Sequence, residues 1–183
     1  FQMELGRTIS GTITDAGDQP IQDVWVGAYA PSGTLVGNAW SAVDGIYIIT
    51  GLTPGTYKLR TSNSQGYVNE WYDDLPITTN HTDATSVDVS AANATGKNFQ
   101  LQPGHSISGT ITDAGDQPIP DVWVWAVDTA GDWVANGWTA SDGTYTITNL
   151  VPGVYKLLTG NNAGYCDEWY DNVVAESDPS GAG

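Results

Sequence analysis

The sequence predicts an all-β chain built as two tandem antiparallel β-sandwiches of about seven strands each. Three observations carry this reading. The 183 residues align with themselves at an offset of 98, Ser10 falling on Ser108, and the register holds without a gap from Ile9 to Leu75 with 42 of 67 positions identical. Within each copy the apolar residues recur at period two rather than 3.6, the signature of half-buried strands. Charged residues are only 14 % of the chain while Gly (22) and Pro (9) are plentiful, a composition of turns and strands. A repeat of this length exceeds a solenoid unit and matches a self-contained sandwich of about 100 residues.

The elements follow in order. In the first copy Ile9, Gly11 and Ile13 alternate with Ser10, Thr12 and Thr14, and Asp15-Ala-Gly-Asp-Gln-Pro20 supplies turn chemistry. Val24, Val26 and Ala28 point inward in alternation with Trp25, Gly27 and Tyr29. Asp44-Gly45 leads into Tyr47–Thr50, and Pro54-Gly55 leads into a strand with Tyr57 and Leu59 on one face. Further strands are expected at 86–90 and 98–102, and one helical turn within 66–74. The second copy repeats the plan, with Val122, Val124 and Ala126 inward and Trp123, Trp125 and Val127 on the opposite face. The domain plan is residues 1–7 as a closing strand, 8–103 as the first sandwich and 104–183 as the second, which stops before its own closing strand.

Five Lys and Arg against 21 Asp and Glu give a net charge of −16 and a pI of about 4.1. Such a surface repels phosphate backbones and anionic membranes, which excludes nucleic acid as a partner. No apolar run approaches the roughly 18 residues of a membrane span, so no membrane insertion is expected. The opening Phe1-Gln-Met-Glu-Leu5 lacks the basic and apolar regions of a signal peptide, placing any export signal outside this stretch. The single cysteine, Cys166, has no partner for an internal disulfide.

The pattern Ser10-Gly-Thr-Ile-Thr-Asp, Gln19-Pro-Ile, Val24-Trp-Val, Asp44-Gly45, Tyr47 and Leu52-Thr-Pro-Gly-Thr-Tyr-Lys-Leu59 resembles the carboxypeptidase regulatory-like domain, and it recurs from Ser108 to Leu157. The segments Gly66-Tyr-Val-Asn-Glu-Trp-Tyr-Asp73 and Gly164-Tyr-Cys-Asp-Glu-Trp-Tyr-Asp171 are similar to extensions found where such domains stand in tandem in large secreted prokaryotic surface proteins. The resemblance implies an Ig-like, transthyretin-like (prealbumin-like) β-sandwich, an extracellular or cell-surface location, and a non-catalytic role as stalk, accessory or surface module. It says little about activity, because fold does not carry function.

The residues themselves offer few candidates for catalysis. His81 and His105 have no counterpart in the other copy, Cys166 stands where the first copy has Val68, and no pair of carboxylates in contrasting environments is identifiable. No enzyme is expected. For metal, Asp15 with Asp18 and Asp113 with Asp116 place two carboxylates in one turn, and Glu70/Asp73/Asp74 and Asp167/Glu168/Asp171 form acidic clusters whose oxygens suit Ca²⁺. The simpler reading of these aspartates is turn formation. Otherwise no cofactor is expected. Trp123, Trp125 and Trp133 gather on one face of the second copy, a candidate contact for carbohydrate or protein. Trp40, Trp71, Trp138 and Trp169, with Tyr57, Tyr67, Tyr155 and Tyr165, recur in both copies and read as core or corner residues. Asn80 and Asn93 stand in N-x-T triplets, acceptors for glycosylation.

Phe1-Gln-Met-Glu-Leu-Gly6 aligns with Phe99-Gln-Leu-Gln-Pro-Gly104, the closing strand of the first copy. A strand carrying Phe1, Met3 and Leu5 is therefore expected to complete a preceding or neighbouring module by head-to-tail donation. The partners are then copies of this chain or adjacent modules of one array. The functional expectation is a non-enzymatic structural repeat of a cell-surface stalk, fibre or pilus-like filament; the alternative is a carbohydrate-binding accessory module of a secreted hydrolase.

Overall fold

The structure, a computed structural model, describes residues 5–77, 79–170 and 173–174, the last two as backbone only. It is all-β, with no helix among the described residues, and divides into two units, Phe1–Pro103 and Gly104–Gly183.

In the first unit one sheet has the order β4(Ile46–Leu52), β1(Arg7–Asp15), β9(Phe99–Leu101). The facing sheet runs β3(Leu35–Trp40), β2(Trp25–Tyr29), β5(Thr56–Ser62), β6(Glu70–Trp71), β7(Leu75–Pro76), with β8(Ser86–Asp88) also paired to β5. Strand alternation sends Ile9, Ile13, Val24, Val26, Tyr47, Ile49, Leu59, Phe99 and Leu101 into one core, each at most 2 % exposed.

Two details depart from the sequence reading. The sandwich is not wholly antiparallel, because β9 closes the first sheet parallel to β1, Ile13 opposite Phe99 and Asp15 opposite Leu101. Ahead of β9 the chain already tracks β1: Thr8 N–H donates to Asn93 Oδ1 (3.0 Å), Ser10 N–H to Ala94 O (2.9 Å), Lys97 N–H to Ser10 O (3.0 Å) and Thr12 N–H to Asn98 Oδ1 (3.0 Å). Two asparagine side chains thus replace backbone carbonyls where the segment is irregular. The second departure is at 66–74, which carries β6 rather than a helical turn. Asn63 and Asn69 side chains tie this loop to the backbone of Asn63 and Tyr67, leaving β6 free to pair Trp71 with Arg60.

The second unit repeats the sandwich with one sheet β10(His105–Thr110)–β13(Thr144–Leu150) and a second, β12(Trp133–Trp138)–β11(Trp123–Val127)–β14(Lys156–Gly160)–β15(Glu168–Trp169)–β16(Val173–Val174). Turn chemistry is the same to the atom. Asp15 Oδ1 accepts from Gly17 and Gln19 N–H at 2.8 and 2.9 Å, and Asp113 Oδ1 from Gly115 and Gln117 N–H at 2.8 and 2.9 Å. The following Asp18 and Asp116 take φ of 60° and 58°, a region that Asp tolerates in turns.

One outward residue is corrected. Val127 was expected beside Trp123 and Trp125, but it is buried at 1 % against Trp169 and Leu158. A register shift between Ala126 and Val127 ends the alternation there. The aligned trio in the first unit is Tyr29, Trp71 and Arg60, the tyrosine edge-on to the indole at 5.5 Å and the guanidinium over it at 5.8 Å.

Candidate functional site

Two features of the second unit stand out, an open groove beside β10 and an indole cleft on β11 and β12. The groove encloses about 620 Å³ and is lined by Ile111, Ile119, Val122, Thr159, Tyr165, Cys166 and Glu168 among others. A second hollow of about 230 Å³ adjoins Val124, Tyr145, Leu157, Trp169 and Tyr170. Several of these positions match ones that β9 and the residues after it meet in the first unit, Ile13 pairing with Phe99 and Tyr67 with Pro103. There Phe99 packs against Tyr47 and Tyr72 at 6.1 and 5.8 Å, and Val68 N–H donates to Gln102 O at 2.9 Å.

In the second unit β10 pairs only with β13 among the described residues, and it stops at Thr110 where β1 runs on to Asp15. Ile107, Ile111 and Leu157 are half-buried where Ile9, Ile13 and Leu59 are fully buried, and Tyr170 is 70 % exposed. The Tyr145 phenol is pushed above the usual range, by its own burial first and by Tyr170 second.

Cys166 is exposed at the rim of this groove, where the matched Val68 of the first unit is half-buried. Tyr165, expected in the core or a corner, is 48 % exposed. In the first unit, the bridge from Tyr67 to Pro103 and the adjoining strand cover the equivalent positions. Of the proposed donor strand, Phe1 and Met3 lie outside the described residues; Leu5 is in no strand and 98 % exposed.

The indoles form a continuous row. Trp133 meets Trp125 at 4.9 Å, Trp125 meets Trp123 at 5.1 Å and Trp123 meets Trp138 at 4.5 Å, with interplanar angles of 65°, 62° and 73°. The rings therefore stand edge to face, the arrangement their quadrupoles prefer. Trp138 belongs to this row and is 52 % exposed, and its counterpart Trp40 is 61 % exposed, so of the core or corner roles expected for them the core is excluded. Trp71 and Trp169 are core residues, 5 % and 4 % exposed.

Trp138 enters the row through its cross-strand pairing with Trp123, which alternation along one strand does not reveal. Within the row Trp125 lies over Gly160, where a Cβ would fall 2.3 Å from the ring. The first unit has Gly27 and Ser62 at these two places, so the bulky ring and the glycine beneath it changed together.

The remaining candidates make local contacts. Besides Asp15 and Asp113, Asp18 accepts from the Gln100 amide at 2.9 Å. Among the described residues no group of three His, Cys, Asp or Glu is placed to hold a metal ion. Asn80 and Asn93 are exposed, and the Oδ1 of Asn80 accepts from Thr82 N–H at 3.1 Å. His81 contacts the Pro31 carbonyl at 3.0 Å. No helix of the described residues is long and apolar enough to cross a membrane.

Comparison with known proteins gives three findings. The carboxypeptidase regulatory-like domain matches residues 8–102 and 106–181. Serine-aspartate repeat-containing protein E of Staphylococcus aureus (strain Newman) is 26 % identical over 183 residues, covering 92 % of this chain and 16 % of the relative; the bone sialoprotein-binding protein of Staphylococcus aureus is 23 % identical with the same coverage. Among solved structures, the Bacillus anthracis TIE protein aligns with a TM-score of 0.42 at 16 % identity, over 94 % of this chain and 31 % of that one. The shaft pilin SpaA from Lactobacillus rhamnosus GG aligns with a TM-score of 0.37 at 11 % identity, over 93 % and 94 %.

Proposed function

The chain belongs to the carboxypeptidase regulatory-like domain family, and from that membership we propose that it is a non-enzymatic structural repeat of an extracellular, cell-surface stalk, fibre or pilus-like filament. Two homologous sandwiches follow one another in the sequence, and the chain spans about a sixth of the length of the curated relatives it matches, 16 %. Both facts suit a module repeated within something larger. An acidic, lysine-poor surface keeps such modules soluble and mutually repelling except where shape brings them together.

The observation that carries the reading is the groove beside β10. A strand edge unpaired among the described residues, above half-buried Ile107, Ile111 and Leu157, suits strand addition, with ladder bonds for affinity and pockets for alternate side chains. Phe99-Gln-Leu is what fills the equivalent place in the first unit, and Phe1-Gln-Met is the same pattern. The proposed partner is thus a strand of the residue 1–5 type from an adjacent module or a second copy.

Register fixes the test. Val68 opposes Gln102, so Cys166 would oppose Glu4 of an incoming strand. Opposed antiparallel residues have Cα atoms roughly 4.5–5.5 Å apart, within disulfide range. Full chain carrying Glu4→Cys is expected to give a ladder of oxidised oligomers on non-reducing gels, lost on adding Cys166→Ser. Monomer alone at high concentration, with or without oxidant, would remove strand donation, and electron microscopy of native material then decides whether the modules form an array at all.

A further inference from the structure

We propose that the indole cleft of the second unit binds a quaternary ammonium group, the chemistry of choline. The cleft is about 330 Å³ and is lined by Asp121, Trp123, Trp125, Trp138 and Asp167, with Gly160, Asn161 and Asn162 completing its floor and rim. Three indoles meeting at 62° and 73° line this one hollow at steep angles, so it has several aromatic walls rather than one flat shelf. A methylated ammonium needs such walls, because each ring face attracts it and it has no hydrogen to donate. A pyranose stacks best on a single open face, and here neighbouring edges take up part of the ring faces.

Charge complementarity selects the sign. Residues 104–183 contain eleven Asp and Glu and one lysine, Lys156, which sits at the far end of β14 from Gly160 and does not line the cleft. Asp167 Oδ1 already accepts from Asn161 N–H and Nδ2–H at 3.0 and 2.9 Å, which fixes this carboxylate at the rim. Asp121, held at φ 58° with its N–H donating to Thr139 O at 3.1 Å, places a second carboxylate beside Trp123. An anion has no cationic group among the lining residues to meet.

The first unit keeps Trp25 and Trp40 but has Gly27 for Trp125, Leu35 for Trp133 and Asn69 for Asp167. It has lost two indoles and one carboxylate at matched positions, so the site is assigned to the second unit alone.

The test titrates the full chain with choline chloride while following indole Nε1–H resonances, with the uncharged isostere dimethylbutanol and cellohexaose as parallel arms. Choline is expected to move the Trp123 and Trp138 signals and to bind at least about tenfold more tightly than the isostere. Asp121→Asn is expected to weaken it at least about threefold with melting unchanged, and Trp138→Ala, an exposed position, to abolish it. Trp123→Phe serves as a second aromatic variant should Trp138→Ala lose its fold. Equal binding of the isostere, shifts with cellohexaose but not choline, or no shift with any of the three would each overturn the proposal.

Discussion

Ile13 and Ile111 are the same residue at the same step of the same repeat, flanked by the same Thr-Ile-Thr-Asp sequence. The first is fully buried under β9; the second is half-buried at the lip of a groove. The same divergence runs through Leu59 and Leu157, Glu70 and Glu168, and Val68 and Cys166. By contrast the Asp15 and Asp113 turns agree to within 0.1 Å, as do the Ser41 and Thr139 hydroxyls that each accept a backbone N–H at 2.9 Å. Local hydrogen bonding is therefore set by the repeat itself, while burial is set by a strand remote in sequence. In the first unit the turns close on their own side chains, while the core is completed by β9.

That comparison can be broken most forcefully at Phe99. Phe99→Ala removes the ring seated between Tyr47 and Tyr72 and is expected to destabilise the first unit by about 3–5 kcal/mol, read by unit-resolved hydrogen exchange in urea while the second unit stays unchanged. Coupled loss of both units would mean that they are not independent. Next in size is a matched pair: Ile13→Ala should cost about 2–4 kcal/mol and Ile111→Ala only about 1. Equal costs would show that the groove beside β10 is closed in solution.

The buried hydroxyls test the other half of the comparison, where the units should agree. Ser41 donates to Ile21 O and accepts from Val24 N–H at 2.7 and 2.9 Å, and Thr139 repeats this with Ile119 and Val122 at 2.8 and 2.9 Å. Ser41→Ala and Thr139→Val should each cost about 1–3 kcal/mol by stranding a buried N–H and carbonyl. A difference above about 1 kcal/mol between them would undo the equivalence of the turns.

The smallest effect is a pH dependence. Glu70 is 8 % exposed with one carboxyl oxygen lacking a partner, and burial, with Asp74 second, pushes its pKa from 4.5 up to about 7. The folded unit then holds a proton that the unfolded chain has released, so stability falls as pH rises from about 4.5 to about 7 and is level above that. Partial solvent access limits the loss to about 1–2 kcal/mol. Glu70→Gln should flatten the slope and raise stability at pH 8; an unchanged slope, followed by urea midpoints, would place the titration elsewhere.

The two-copy plan, the strand faces around Val24 and Val124 and the Asp-centred turns were legible in the sequence because each follows from period-two alternation or a local side-chain hydrogen bond. The parallel run of residues 93–101 along β1 was not, since Asn93 and Asn98 act through contacts 85 and 86 residues away. Val127 escaped because a bulge shifts its face without any glycine to announce it. For the indole row, Trp123, Trp125 and Trp133 were readable from alternation, but Trp138 joins them only through its cross-strand partner Trp123. The groove was readable in outline, from comparison of the copies; its rim cysteine was not.

The parallel pairing of β1 with residues 93–101 also determines how the first unit carries load. The chain enters at the start of β1 and leaves at the end of β9, at opposite ends of a ladder whose two strands run the same way. Tension applied through the chain therefore pulls the strands past each other. The bonds from Thr8, Ser10 and Thr12 and those of β9 are strained together and must fail together, whereas a hairpin pulled from its open end unzips one bond at a time. Forced extension is governed by the unfolding rate rather than by equilibrium stability, so a tether of such units would hold under sudden pull even where each is only marginally stable at rest.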